Sequence, residues 1–175
     1  MKEQKIMINY ICLLFIRNTM VNYVFEEEIE LINELVLKIS DEEDEFEIRR
    51  PDDIRFIIDF VVERFGSDLY RKALAYCVGI IFTHPFKNGN HRTSMICAEH
   101  FLSKNNFSSL TTDEKDKKLY KWRIDLEKRD DESLIRRFFS ITNIENDEER
   151  KDGIESIMNS EYGIGIYKWL KQNYR

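Results

Sequence analysis

HPFKNGNHRTS, His84 to Ser94, is the chemically densest stretch of the chain, and its reading decides the fold. It sets two histidines, two asparagines, a glycine and an arginine between two apolar segments. Asn88, Gly89 and Asn90 are residue types that accept turn or left-handed conformations. Placed just before a helix, they would aim several backbone N–H groups at one point. A concavity of that kind at a positive helix end binds anions, phosphate above all. Arg92, in the first turn of that helix, adds a planar fork of donors suited to phosphate oxygens. His84, at the other end of the turn, can take a proton from a hydroxyl near neutral pH. A base beside a phosphate cradle is the minimum equipment for moving a phosphorus-containing group onto a hydroxyl. In such chemistry the protein mainly positions groups and neutralises charge.

The flanks are helical. Upstream, Tyr70, Leu74, Cys77, Val78 and Ile81 share one face of a helix that Pro85 stops, and Ser67 can cap its start. Before it, Ile54, Ile57, Ile58, Val61, Val62 and Phe65 form an apolar stripe, opened by Asp52 or Asp53 as cap and closed by Gly66. Earlier still, Ile29, Ile32, Val36 and Ile39 recur at helical spacing, and the acidic run 40–47 follows as a solvated connection. Phe46 and Ile48 ahead of Pro51 predict a short extended segment, since the residue before proline avoids the helical region. Downstream, Met95, Ile96, Cys97, Ala98, Phe101 and Leu102 predict a helix apolar around much of its girth and therefore central. Thr111 and Glu114 open a charged helix to about Lys128. Leu134, Ile135, Phe138 and Phe139 begin another, and Ile154, Ile157, Tyr162, Tyr167 and Trp169 mark a last segment weakened by Gly163 and Gly165.

Composition agrees. The 175 residues suit one domain, and 42% hydrophobic content can fill a core. Six glycines and two prolines are too few for a turn-rich sandwich. A net charge of −6 disfavours a nucleic-acid-binding surface. Cys12, Cys77 and Cys97 make an odd count with no CxxC spacing, so buried thiols in the cytoplasm are expected. The apolar run Ile6–Ile16 is shorter than the ~20 residues of a membrane span and lacks a cleavage site, so no membrane partner is expected. His84, His91, His100 and Cys97 match no common zinc spacing.

HPFKNGNHRTS also resembles the signature of the Fic/Doc family, HxFx(D/E)GN(G/K)R, through His84, Phe86, Gly89, Asn90 and Arg92. The helix order from about Phe25 to Ile141 is similar too, with the extended segment standing where family members carry a substrate-holding flap. The resemblance implies an all-α Fic fold: a single-domain helical bundle with a short extended flap. The divisions would be an N-terminal extension (1–24), a core domain (25–145) and a C-terminal helical segment (146–175). It implies transfer of AMP, or of phosphate in the Doc (death-on-curing) branch, from ATP or a related nucleotide to a hydroxyl of a protein, with the translation machinery among candidate targets. His84 would be the general base and Phe86 a structural anchor. Asn88, Gly89, Asn90, His91 and Arg92 would hold the nucleotide, and Arg92 would serve catalysis as well.

Three positions depart from the pattern. The acidic metal-binding position is Asn88, a neutral oxygen and hence a weak Mg²⁺ ligand or merely a helix cap. The glycine of AMP-transferring members is His91, and their second arginine is Met95. The run His91-Arg92-Thr93 leans toward Doc-like phosphotransfer, with AMP transfer and a catalytically eroded nucleotide- or partner-binding module as the alternatives. No in-frame (S/T)xxxE(G/N) inhibitory motif occurs. Ser140–Asn146 misses it by one position, so a toxin of this type would be restrained by a separate small antitoxin.

Overall fold

A computed structural model describes residues 20–39, 46–109 and 144–175. Its described residues form α1 (Glu26–Ile39), α2 (Pro51–Glu63), α3 (Leu69–Thr83), α4 (Asn90–Lys104), α5 (Asp147–Met158) and α6 (Glu161–Asn173). The predicted helices of residues 111–139, the run Ile6–Ile16 and Cys12 lie outside those residues. No helix among the described residues is long and apolar enough to cross a membrane.

α3 is the spine. Every residue from Lys72 to Thr83 is buried; α2, α4, α5 and α6 pack against it, and α1 joins the same core against α4 and α2. The centre therefore falls one helix earlier than predicted. α4 is apolar on several sides, but its Ile96 is 41% exposed, whereas α3 is covered along its length by neighbours. Gly79 makes room for one of them. A Cβ there would stand 3.1 Å from Ile57 Cγ1, so glycine lets α2 approach closely. α1 adds Ile29, Ile32, Val36 and Leu37 to the core, each worth about 1.5–3 kcal/mol if fully buried.

Helix ends differ from the prediction in instructive ways. α2 starts at Pro51, ahead of both aspartates, because proline at the first helical position lacks only an N–H that would have been orphaned. Its far end is capped from another helix: the buried Lys72 ammonium donates to the carbonyls of Val61 at 2.6 Å and Arg64 at 2.8 Å. α3 is capped by Asp68, which accepts from Arg71 N, rather than by Ser67. The C-terminal segment is two helices. Asn159 and Ser160 break it, and Gly163 is required because a Cβ would collide with the Met158 backbone oxygen.

Arg64 and Arg71 lock α5 onto this frame through Glu148, Asp152, Glu155 and Asn159. The segment before α2 is extended as predicted. Ile48 pairs antiparallel with Phe86, so the chain ahead of Pro51 lies along the turn that follows α3.

Candidate active site

His84 ends α3. Proline at the next position disfavours helical backbone, and His84 takes a left-handed conformation with φ 52° and ψ 58° while its N–H still donates to Ile80 O. The ring turns back on the helix, with Nδ1 2.6 Å from the Ile81 carbonyl oxygen. A carbonyl can only accept, so Nδ1 must carry the proton, and the basic lone pair of the neutral ring is then the one on Nε2. Burial pushes the His84 pKa down, the Ile81 bond opposes that shift, and the positive charge of Arg50 adds to the depression. The imidazole is therefore neutral at pH 7, which a general base requires.

The turn itself is tied from three sides. On one side lies the extended segment: Arg49 N and Arg50 N donate to Pro85 O at 2.8 and 3.1 Å, and Lys87 N donates to Glu47 O at 3.0 Å. The second tie is internal. Asn90 accepts from Phe86 N at 3.0 Å and donates to Phe86 O at 2.8 Å, closing the turn like a clasp. Phe86 is 1% exposed and meets the Phe46 ring at a tilt, ring centroids 6.2 Å apart. Asn90 thus spends its Oδ1 and one Nδ2–H on holding the turn closed.

The third tie is α1. Asn33 donates from Nδ2 to Asn88 O and to Thr93 Oγ1, both at 2.9 Å. Gly89 is the N-cap residue of α4 at φ 77°, and no side chain caps that helix. Asn88 thus does not act as the cap. His91 and Arg92 follow in the first helical turn, as predicted for a phosphate cradle, and Thr93 N closes the turn on Gly89 O at 2.9 Å. The His91 ring meets the His84 ring edge-on at 5.7 Å. Met95 is 7% exposed, with its sulfur 3.4 Å from Cys77 Sγ, so the position where a second arginine would stand belongs to the core.

The matched motif residues thus converge on one corner between α3 and α4. The corner's electrostatics favour an anion. His84 to Arg92 contains no carboxylate and carries Arg92, and Arg50 stands beside it, whereas Lys87 is paired with Glu47 at 3.1 Å. That same chemistry is a poor fit for a protein-built Mg²⁺ site, because Asn88 supplies a neutral oxygen at best. Among the described residues no group of three or more His, Cys, Asp or Glu side chains could hold a metal. His100 is engaged elsewhere, bonded to Glu28 at 3.0 Å. Asn33 and Arg50 were missed in the sequence. For Asn33 a signal existed, a polar residue inside the apolar stripe of α1.

The family model for the Fic/DOC family matches residues 13–102, just over half of the chain. The chain belongs to the Fic/DOC family. Its all-α bundle with the short extended segment laid on the motif turn is the Fic fold. No curated protein and no solved structure matches it. Fic/DOC proteins are in general nucleotide-using transferases that act on protein substrates.

Proposed function

We propose that this Fic/DOC chain moves a phosphate-bearing group from ATP or a related nucleotide to a hydroxyl of a protein, with the γ-phosphate as the group transferred. The observation that carries the proposal is the Nδ1–Ile81 hydrogen bond, which leaves His84 Nε2 as a proton acceptor beside an uncapped helix start. His84 takes the proton of the target hydroxyl. The hydroxyl oxygen bonds to phosphorus, and the bond from that phosphorus to the bridging oxygen breaks, releasing ADP. The first-turn N–H groups of α4 and the Arg92 guanidinium hold the phosphate oxygens and offset developing charge. Bound Mg²⁺, arriving with the nucleotide, would supply charge neutralisation that Asn88 supports only through a neutral amide.

Two features support γ- over α-phosphate transfer. Met95 lies in the core and can grip no further phosphate, and His91 occupies the position where glycine would leave room. The protein would act as a cytoplasmic toxin restrained by a small antitoxin, since no inhibitory motif occurs in the sequence. ATP labelled separately at the α and γ positions, incubated with candidate proteins, tests the reading. Transfer of the γ label supports it, whereas α label on the target would replace it with AMP transfer. No transfer from either position, with His84→Ala equal to wild type in cells, would favour a binding module.

A further inference from the structure

Asn33 is the one polar side chain among the buried residues of α1, whose others are Ile29, Ile32, Val36 and Leu37. It is 0% exposed. An apolar residue there would continue the stripe, so the amide breaks the local pattern, and such breaks concentrate at functional sites. Its orientation is unambiguous. Asn88 O can only accept, so the nitrogen must face it, at 2.9 Å. The second N–H reaches Thr93 Oγ1, also at 2.9 Å. Oδ1 is then turned to the other side, buried and with no hydrogen-bond partner among the described residues. Leaving a buried acceptor unmatched costs stability.

The two bonds span the corner of the site. Asn88 is the last residue before the left-handed Gly89, and Thr93 is the residue whose N–H closes the first turn of α4 on Gly89 O. One amide therefore fixes both sides of the turn that aims the backbone N–H groups of α4. Gly89 fits against the same group, since a Cβ there would stand 3.0 Å from Asn33 Nδ2 and 3.3 Å from Leu37 Cδ2. The arrangement gives up stability at Oδ1 and obtains a loop held in one conformation.

We infer that Asn33 is a positioning residue, which sets the direction of the α4 N-terminal N–H groups through Asn88 and Thr93 and thereby the affinity of the corner for a nucleotide phosphate. The link to phosphate rests on the proposed transferase reading; the link to loop order does not. Asn33 itself touches no substrate.

The test separates the two. Asn33→Leu keeps the approximate volume and removes both donors together with the orphaned acceptor. The relief at Oδ1 is offset by the donor that Asn88 O and Thr93 Oγ1 each lose, so the variant's unfolding temperature should stay close to the wild-type value. Without nucleotide, its Thr93 amide, which bonds Gly89 O, should exchange with deuterium at least ~10-fold faster than wild type, and its ATP affinity by calorimetry should fall at least ~10-fold. A residue with a merely structural role would lower the unfolding temperature and leave exchange in this turn in step with the rest of the chain. Should N33L not fold, N33D keeps the side-chain shape, cannot make both donor bonds, and carries the same exchange readout. Unchanged exchange at Thr93 in the folded variant overturns the inference whatever happens with ATP. Fast exchange with no ATP binding even by wild type leaves Asn33 as the loop's anchor and sinks the nucleotide reading instead.

Discussion

The ring of His91 stands edge-on to the ring of His84, with centroids 5.7 Å apart, so the two histidines of the motif form one aromatic contact across the corner between α3 and α4. Removing His91 uncovers one side of the base. His91→Gly should therefore let water reach His84 and relieve part of the desolvation that depresses its pKa. The acid limb of the pH–rate profile should move up, toward the ordinary histidine value. A glycine in the first helical turn should also cost about 0.5–1 kcal/mol, measurable by urea unfolding. An acid limb that stays in place would show that the ring contact does not govern the base.

Arg50 offers an independent handle on the same base. Its positive charge opposes protonation of His84, so the cation keeps the imidazole neutral to lower pH. Arg50→Ala should raise the His84 pKa. At a pH just below the ordinary histidine value more of the base is then protonated and activity drops, while at pH 8 the base is neutral in both proteins and the rates converge. Comparing rates at the two pH values checks this, since a variant slowed equally at both would assign Arg50 a role in binding.

His84→Ala removes the proton acceptor and should lower the rate by roughly 10²–10⁴-fold, the usual worth of a general base. ATP affinity should change little, because the cradle belongs to α4. Calorimetry on the variant checks that half of the statement. A parallel loss of affinity would mean that His84 binds the nucleotide.

Much of this was legible in the sequence, and the parts that were not share a physical cause. The helical stripes, the stop at Pro85 and the placing of His84, Phe86 and Arg92 follow from local patterns of apolar spacing and backbone preference. What escaped depends on partners distant in sequence. Lys72 caps a helix other than its own, and Asn33 reaches a loop that no periodicity connects to it. Likewise Gly163 looked like a weak point in one helix. It is the residue whose missing Cβ allows a second helix to start against Met158.

Gly89 is a stricter case. At φ 77° it lies where side chains are rarely accommodated, and an added Cβ would stand 3.0 Å from the Asn33 amide nitrogen. Gly89→Ala should cost about 1–3 kcal/mol from backbone strain and crowding together. Because Asn33 must shift to admit the methyl group, exchange at Thr93 should rise as it does in N33L. Combining G89A with N33L should cost less than the sum of the single changes, since both disturb one contact. Strict additivity in urea unfolding would show that the two residues act separately.

Acid stability depends on a different group. Burial pushes the Glu28 carboxyl up, but hydrogen bonds from Lys104 and His100 and the Phe25 backbone outweigh it and bring the pKa down to about 2. The carboxylate bonds Lys104 Nζ at 2.7 and 2.8 Å and so ties the first turn of α1 to the last turn of α4. Its folded pKa lies below the unfolded one, so its contribution is complete above about pH 4.5 and fades as pH falls toward 2. Because the side chain is a third exposed, screening reduces that contribution to roughly 1 kcal/mol. Glu28→Gln should lower stability by about that amount at pH 7 and by only a small part of it at pH 2.5. Urea midpoints at the two pH values check the sign. An equal loss at both would trace the effect to the neutral hydrogen bonds rather than to the charge.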